Sequence, residues 1–295
     1  MHSTPSLKTW LLAARPKTLW AGVSPVIIGS AMAWEAGAFH PAAALAALAG
    51  AVLIQIGANF ANDYFDFIKG TDTAERVGPT RVTQAGLVTP RQMRNATALV
   101  LALAFLIGLY LASRGGWPIL LIGLLSIAFA VLYTGGPFPL AYLGLGDLFV
   151  LIFFGLVAVS GTYYVQALQL PLAALLAGIA PGLFSTAILT VNNLRDLDGD
   201  KKTGKRTLAV RFGGTFAKVE YAACIGAAAV AVPLVLALLP PRHPWTLLSL
   251  LVLLPALPAL RNVRTLQGAA LNNVLAQTGK LLLIYSLLFS LGWNL

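Results

Sequence analysis

Apolar stretches recur from one end of this chain to the other, at residues 19–34, 42–60, 96–112, 118–133, 148–165, 172–191, 217–239, 247–260 and 281–293. A helix needs about 20 apolar residues to cross the hydrocarbon core of a bilayer. Lipid offers no hydrogen bonds, so a crossing segment must satisfy its own backbone, and a helix does so. Only 10% of the residues are charged and 58% are hydrophobic, whereas a soluble domain is about one-quarter charged. The expected fold is an all-α, polytopic membrane bundle of about nine transmembrane helices, with residues 1–295 forming a single integral-membrane domain. A removable signal peptide accounts for one such stretch, not for nine.

The net charge of +10 has a use in such a bundle. If the stretches alternate in direction, 18 of the 20 lysines and arginines fall on the side of the N-terminus, and only Arg114 and Arg242 fall on the other. Basic loops stay in the cytoplasm, which places the N-terminus inside and the C-terminus outside. The positive excess therefore reads as topology, and no nucleic-acid partner is expected. Cys224 stands alone among Ala and Gly, and His2, His40 and His243 share no metal-ligand spacing. Thiol and soft-metal chemistry are set aside on that ground.

Polar residues interrupt the apolar pattern at two places. The second stretch closes with Gln55-Ile56-Gly57-Ala58-Asn59-Phe60-Ala61-Asn62-Asp63-Tyr64-Phe65-Asp66 and runs on through Lys69-Gly70-Thr71-Asp72. On a helix Asn59, Asn62/Asp63 and Asp66 recur at i, i+3/i+4, i+7 and share a face. The sixth stretch closes with Asn192, Asp196 and Asp200 at i, i+4, i+8, while Asp198 lies off that stripe and is expected to face solvent. The offset Asn59-x3-Asp63 returns as Asn192-x3-Asp196, and a basic loop follows each: Arg76-Val77-Gly78-Pro79-Thr80-Arg81 and Gly204-Lys205-Arg206-Thr207. A four-helix unit used twice, with a ninth helix added, accounts for the rhyme. Because four is even, both motifs open on the cytoplasm. Gly22, Pro25 and Gly29, like Gly178, Pro181 and Gly182, are expected to allow close helix contact and kinks within spans.

Carboxylates spaced this way repel one another unless a cation lies between them. Hard oxygen donors suit Mg²⁺, which takes one or two carboxylates and completes its shell with water and substrate phosphates. Two such stripes with lysines and arginines close behind suit a diphosphate bridged by metal. Since the site lies at the base of an apolar bundle, the rest of the ligand is expected to be hydrocarbon, as in an isoprenoid diphosphate. Solvated helix ends are the alternative for either stripe alone; their pairing at repeat-equivalent places favours a site.

Asn62-Asp63-x-x-Asp66 with Asp72, and Asp196-x3-Asp200, resemble the two aspartate-rich motifs of the UbiA superfamily of intramembrane aromatic prenyltransferases. Ala14-Arg15-Pro16-Lys17-Thr18, the Gln55-to-Asp72 stretch, Arg76-to-Arg81, and Asn192-Asn193-Leu194-Arg195-Asp196 leading to Gly204-Lys205-Arg206-Thr207-Leu208 are similar to its menaquinone branch, which prenylates 1,4-dihydroxy-2-naphthoate. Two departures set the chain apart from other relatives. Gly70 stands where the hydroxybenzoate enzymes carry a third aspartate, and no lysine follows four residues after Tyr133, which leaves a role for Tyr133 open.

The resemblance implies catalytic and metal-holding roles for Asp63, Asp66, Asp196 and Asp200, with Asp72 as a further metal ligand and Mg²⁺ as cofactor. It implies supporting roles for Asn59 and Asn62. Lys69, Arg76, Arg81 and Lys205 would neutralise the leaving diphosphate, although each is also explained as a positive-inside residue. Arg15 would meet the carboxylate of the aromatic acid. The implied reaction transfers a polyprenyl group from polyprenyl diphosphate to the ring carbon that bears the carboxylate, with loss of CO₂, in a bacterial inner membrane. Alternatives are a 4-hydroxybenzoate or haem prenyltransferase of the same superfamily and, in another class, a membrane transporter.

Overall fold

The computed structural model describes residues 5–71 and 77–295, and every regular element among them is helical. A short α1, Leu7–Ala14, is capped by Ser6, whose hydroxyl accepts the Thr9 N–H. The chain then turns through Arg15, in the left-handed region at φ 53°, and the 3₁₀ turn Pro16–Thr18 into α2, Trp20–Glu35. The long helices that follow are α3, Pro41–Ile68; α4, Pro90–Gly115; α5, Trp117–Leu132; α6, Gly146–Ala167; and α7, Leu172–Arg195. A six-residue α8, Leu197–Lys202, precedes α9, Leu208–Leu238; α10, Pro244–Thr265; and α11, Gly268–Trp293.

All nine apolar stretches are thus helical, but they are not equally long. Among the described residues seven helices (α3, α4, α6, α7, α9, α10 and α11) are long and apolar enough to cross a membrane. The other two, α2 and α5, have 16 residues each, about 24 Å at 1.5 Å per residue, short of a hydrocarbon core of about 30 Å. The expectation of nine crossings is therefore met by seven on length and composition.

The helices run up and down, so their connections gather at two ends. At one end the Arg206 N–H donates to the Tyr142 carbonyl at 3.2 Å, Arg211 donates to the Leu143 carbonyl, and the Lys69 ammonium donates to the Thr134 carbonyl. At the other, Arg114 donates to the Val165 carbonyl and Asn294 to the Ala31 carbonyl. Both aspartate-rich stripes lie at the first end, where Lys205 meets Asp66 and Asp200.

Glycine sets the closest approach between helices. A β-carbon on Gly155 of α6 would lie 2.5 Å from the Gly178 carbonyl oxygen and 2.7 Å from the Gly182 Cα, both on α7. One on Gly29 of α2 would lie 2.6 Å from the Val159 carbonyl oxygen of α6. Without side chains in the way, backbones meet directly, which is how helices associate in lipid where the hydrophobic effect offers nothing. The main core forms where α2, α6, α7, α9, α10 and α11 converge, around Phe184, Tyr221, Tyr285 and Phe289. The face between α3, α4 and α5 contributes little to it and encloses a cavity instead.

Candidate active site

Helix α3 delivers the first stripe. At about 100° per residue, Asn59, Asn62 and Asp66 fall within about 60° of one another, and all three line a chamber of about 1020 Å³ at the motif end of the bundle. Asp63 lies on the flank of that arc. Its two carboxylate oxygens accept the backbone N–H groups of Val82 and Thr83, at 3.1 and 3.0 Å. It is 1% exposed and is not among the residues that line the chamber. Through these two bonds Asp63 anchors the segment that carries Arg81.

That anchorage positions the next contact. Arg81 Nη2 donates to Asp66 Oδ2 at 3.0 Å, and Lys205 Nζ lies 3.4 Å from Asp66 Oδ1 and 4.0 Å from Asp200 Oδ1. One ammonium therefore touches a carboxylate from each half of the chain. The two stripes converge.

The second stripe is not one continuous helix. Helix α7 ends at Arg195, and Asp196 has φ −92° and ψ 6°, yet the Asp200 N–H still donates to the Asp196 carbonyl at 2.8 Å. The i, i+4 relation thus survives the break. Asp196 is gripped by its neighbour: Arg195 Nε and Nη2 donate to its two oxygens at 2.8 and 2.6 Å. The same guanidinium reaches the Asn192 and Asn272 side-chain oxygens at 2.8 Å each, tying α7 to α11 with a planar fork that lysine lacks. Asp198 sits exposed at the chamber rim, as its place off the stripe requires.

The remaining expected residues divide. Asn59 Nδ2 donates to the Ala14 carbonyl at 2.9 Å and to Thr18 Oγ1 at 3.3 Å, which braces the left-handed turn at Arg15; Arg15 itself lines the chamber. Asn62 Oδ1 accepts the Thr134 hydroxyl at 2.6 Å. Lys69 does not line the chamber: its ammonium sits 4.8 Å from the centre of the Tyr142 ring, while Lys205 sits 5.3 Å from that ring. Burial lowers the Lys69 pKa; Asp66 acts in the opposite sense and Lys205 adds to the lowering. Asp72 and Arg76 lie outside the described residues. Gly70, in the left-handed region at φ 67°, ends α3 and lets the Thr71 N–H close on the Asp66 carbonyl, a conformation that a β-carbon strains.

Three residues not assigned a role from sequence belong to the site. Arg195 was visible only as one more cation beside an aspartate, although its i+3 spacing from Asn192 is a usable signal. Tyr142 has both Lys69 and Lys205 against its ring. Tyr133 lines both the polar chamber and a second, apolar cavity of about 230 Å³ between α2, α3, α4, α5 and α6. Gly146 leaves room for its phenol, since a β-carbon there would stand 3.0 Å from the Tyr133 hydroxyl.

Among the described residues no three His, Cys, Asp or Glu side chains form a ready-made metal cage. The donors present, Asp66, Asp196 and Asp200 with nearby amides, are all oxygen or neutral amide groups. That set fits Mg²⁺, which usually completes its shell with substrate phosphate oxygens.

The UbiA prenyltransferase family matches residues 22–287. The chain is 39% identical to 1,4-dihydroxy-2-naphthoate octaprenyltransferase of Escherichia coli, over 97% of this chain and 94% of that one. It is 42% identical to the enzyme of the same name from Mycobacterium tuberculosis, over 96% and 95%. The fold is also that of a UbiA homolog from Archaeoglobus fulgidus bound to DMAPP and Mg²⁺, with a TM-score of 0.66 over 97% of this chain and 99% of that one at 15% identity. A family match over most of the chain, on a bundle whose two acidic stripes meet, leads to one conclusion: this chain belongs to the UbiA prenyltransferase family.

Proposed function

We propose that this chain transfers a polyprenyl group from polyprenyl diphosphate to 1,4-dihydroxy-2-naphthoate, releasing diphosphate and CO₂, as a step of menaquinone synthesis. The observation that carries the reading is the shared ammonium of Lys205, which joins Asp66 to Asp200 in a chamber continuous in its walls with an apolar cavity. Gln55, Ala58, Tyr133, Val150 and Phe154 line both spaces. A polar head and a hydrocarbon tail can therefore be bound on either side of one partition. The names of the relatives support the acceptor, and the Mg²⁺ and DMAPP of the Archaeoglobus homolog support the donor class.

In this mechanism Asp66, Asp196 and Asp200 would hold Mg²⁺, which would supply Lewis-acid charge to the departing diphosphate. Arg81 and Lys205 turn from carboxylate to phosphate oxygens and neutralise the charge that develops there. Arg15 meets the acceptor's carboxylate. The donor's C–O bond breaks and its electron pair leaves with diphosphate. The ring carbon bearing the carboxylate bonds to the allylic carbon, and the electron pair of the lost C–CO₂ bond restores the aromatic ring. No proton need be removed, so the site requires no general base. Its tasks are to position the ring and to exclude water from the allylic cation, and Phe154 and the Tyr133 ring at the partition present π-faces that favour a cation.

The whole chain acts as one domain in a bacterial inner membrane, with the N-terminus cytoplasmic and the C-terminus outside. Membranes containing the chain, incubated with dihydroxynaphthoate, a polyprenyl diphosphate and Mg²⁺, should yield the prenylated quinol. Product from 4-hydroxybenzoate alone would reassign the acceptor, and solute uptake into proteoliposomes without prenyl product would favour a transporter.

A further inference from the structure

Gln55 is the one amide at the partition between the two cavities. It lies on α3 one turn before Asn59, on the same arc as Asn59, Asn62 and Asp66, and is 8% exposed. Its side-chain oxygen is buried and has no hydrogen-bond partner among the described residues. Of the residues that line both cavities, Ala58, Val150 and Phe154 are apolar, so the polar groups available there are this amide and the Tyr133 hydroxyl. Gly22 on α2 keeps the approach open, since a β-carbon there would lie 3.7 Å from Gln55 Cβ and 3.2 Å from the Ala51 carbonyl oxygen.

An unpaired buried amide oxygen costs free energy that an apolar side chain of the same size would not. At a wall between a site for a diphosphate and a space for a tail, a ligand group is the natural partner. The charged end of the donor is accounted for by Arg81, Lys205 and the carboxylates, which lie one to three turns farther along α3 or on other elements. The tail brings no hydrogen-bonding atom. What remains is the aromatic acceptor, whose reacting ring carbon must lie at the partition because the allylic carbon emerges there.

We propose that Gln55 is a specificity-determining residue that hydrogen-bonds a ring hydroxyl of the acceptor and so selects hydroxylated arenes and fixes which ring carbon faces the donor. This rests on the prenyl-transfer reading given above. A phenolic hydroxyl can donate to the amide oxygen or accept from the amide nitrogen, so the pairing needs no change in the protein's charge. A site built around such a bond discriminates strongly against analogues that lack the hydroxyl, because its own polar group is then left unmatched.

The test uses the full-length chain in detergent or proteoliposomes, with Gln55→Met, which keeps the length of the side chain and removes the amide, and Gln55→Asn, which keeps the amide on a shorter stem. KM and kcat are measured for dihydroxynaphthoate and for polyprenyl diphosphate. Inhibition constants are measured for 2-naphthoate, 1-hydroxy-2-naphthoate and 4-hydroxy-2-naphthoate. In the wild type one of the hydroxylated inhibitors should bind about tenfold or more tighter than 2-naphthoate. Gln55→Met should abolish that preference, leave 2-naphthoate as tight or tighter, and leave KM for the diphosphate unchanged, which also shows that the variant is folded. Gln55→Asn should narrow the preference. Preference retained in either folded variant, or equal weakening of all three inhibitors, would overturn the assignment. Failure of the wild type to prenylate dihydroxynaphthoate would instead overturn the acceptor reading, and the inhibition series would then be run on whichever arene is turned over.

Discussion

Replacing Asp63 separates two roles that the sequence alone merges. Its carboxylate accepts two backbone N–H groups, and the residues that donate them are themselves buried, Val82 fully and Thr83 at 3% exposure. A hydrogen bond to a charged partner contributes about 1.5–3 kcal/mol, so Asp63→Ala removes on the order of 3–6 kcal/mol of local anchorage from the segment. Each 1.4 kcal/mol is a factor of about ten in an equilibrium. Exchange protection of the Val82 and Thr83 amides should therefore fall by at least about a hundredfold, measured by hydrogen–deuterium exchange mass spectrometry in detergent. Protection in α4 beyond its first turn should change far less, since its helix bonds are its own. Activity should fall as well, since Arg81 adjoins the released residues and its grip on Asp66 at 3.0 Å depends on where they lie. Asp63→Asn keeps one acceptor oxygen and should lose about half as much. The reasoning is refuted if the Ala variant keeps full protection at residues 82–83 and loses only its response to Mg²⁺; Asp63 would then be a metal ligand and not an anchor.

Three further outcomes are expected. Lys205→Met removes the cation 3.4 Å from Asp66 and 4.0 Å from Asp200, so Mg²⁺ should raise the thermal unfolding midpoint of the variant more than that of the wild type, while KM for the diphosphate rises about tenfold. Gly155→Leu places a β-carbon where the Gly178 carbonyl lies 2.5 Å away; overpacking typically costs about 1–3 kcal/mol, and a backbone clash should exceed that, which size-exclusion profiles and unfolding midpoints in detergent will register. Chelation with EDTA should abolish prenyl transfer, and excess Mg²⁺ should restore it where Zn²⁺ does so poorly, scored by product formation.

The recurrence of apolar stretches was enough to place every long helix, because in lipid each crossing segment must be apolar and helical on its own account. The meeting of the two stripes was legible for a related reason: each stripe closes an apolar stretch and leads into a basic loop, and Lys205 of the second loop lies between Asp66 and Asp200. What could not be read was which member of a stripe faces inward. Asn59, Asp63 and Asp66 share a broad face, but Asp63 is diverted by backbone donors nearly twenty residues later in the chain, and no local spacing announces where a loop folds back. The helices α2 and α5 have only 16 residues each; a run of apolar residues shows that a segment is buried or in lipid and does not fix its length. Tyr133 was hidden for yet another reason. Its importance comes from being at the wall of two cavities that only the packed bundle creates.

That packing is uneven, and the unevenness matches the two ends of the proposed substrate. The apolar window of α7 is 61% buried, whereas that of α4 is 11% buried. The second stripe therefore hangs from a helix held on most sides, with Arg195 fastening it to Asn272 of α11. The metal-binding head of a diphosphate needs such rigidity, because electrostatic stabilisation depends on charges that do not have to reorganise during reaction. A polyprenyl tail needs the opposite, a space whose walls can accept chains of irregular shape without leaving polar groups unpaired. The cavity between α2, α3, α4, α5 and α6 meets that need: its walls are mostly Gly, Ala, Val, Leu, Ile and Phe, with few polar side chains, and many apolar side chains of α4 and α5 are exposed. On the proposed reading the head is thus held where the packing is tight and the tail lies where it is loose, with Gln55, Ala58, Tyr133, Val150 and Phe154 between them.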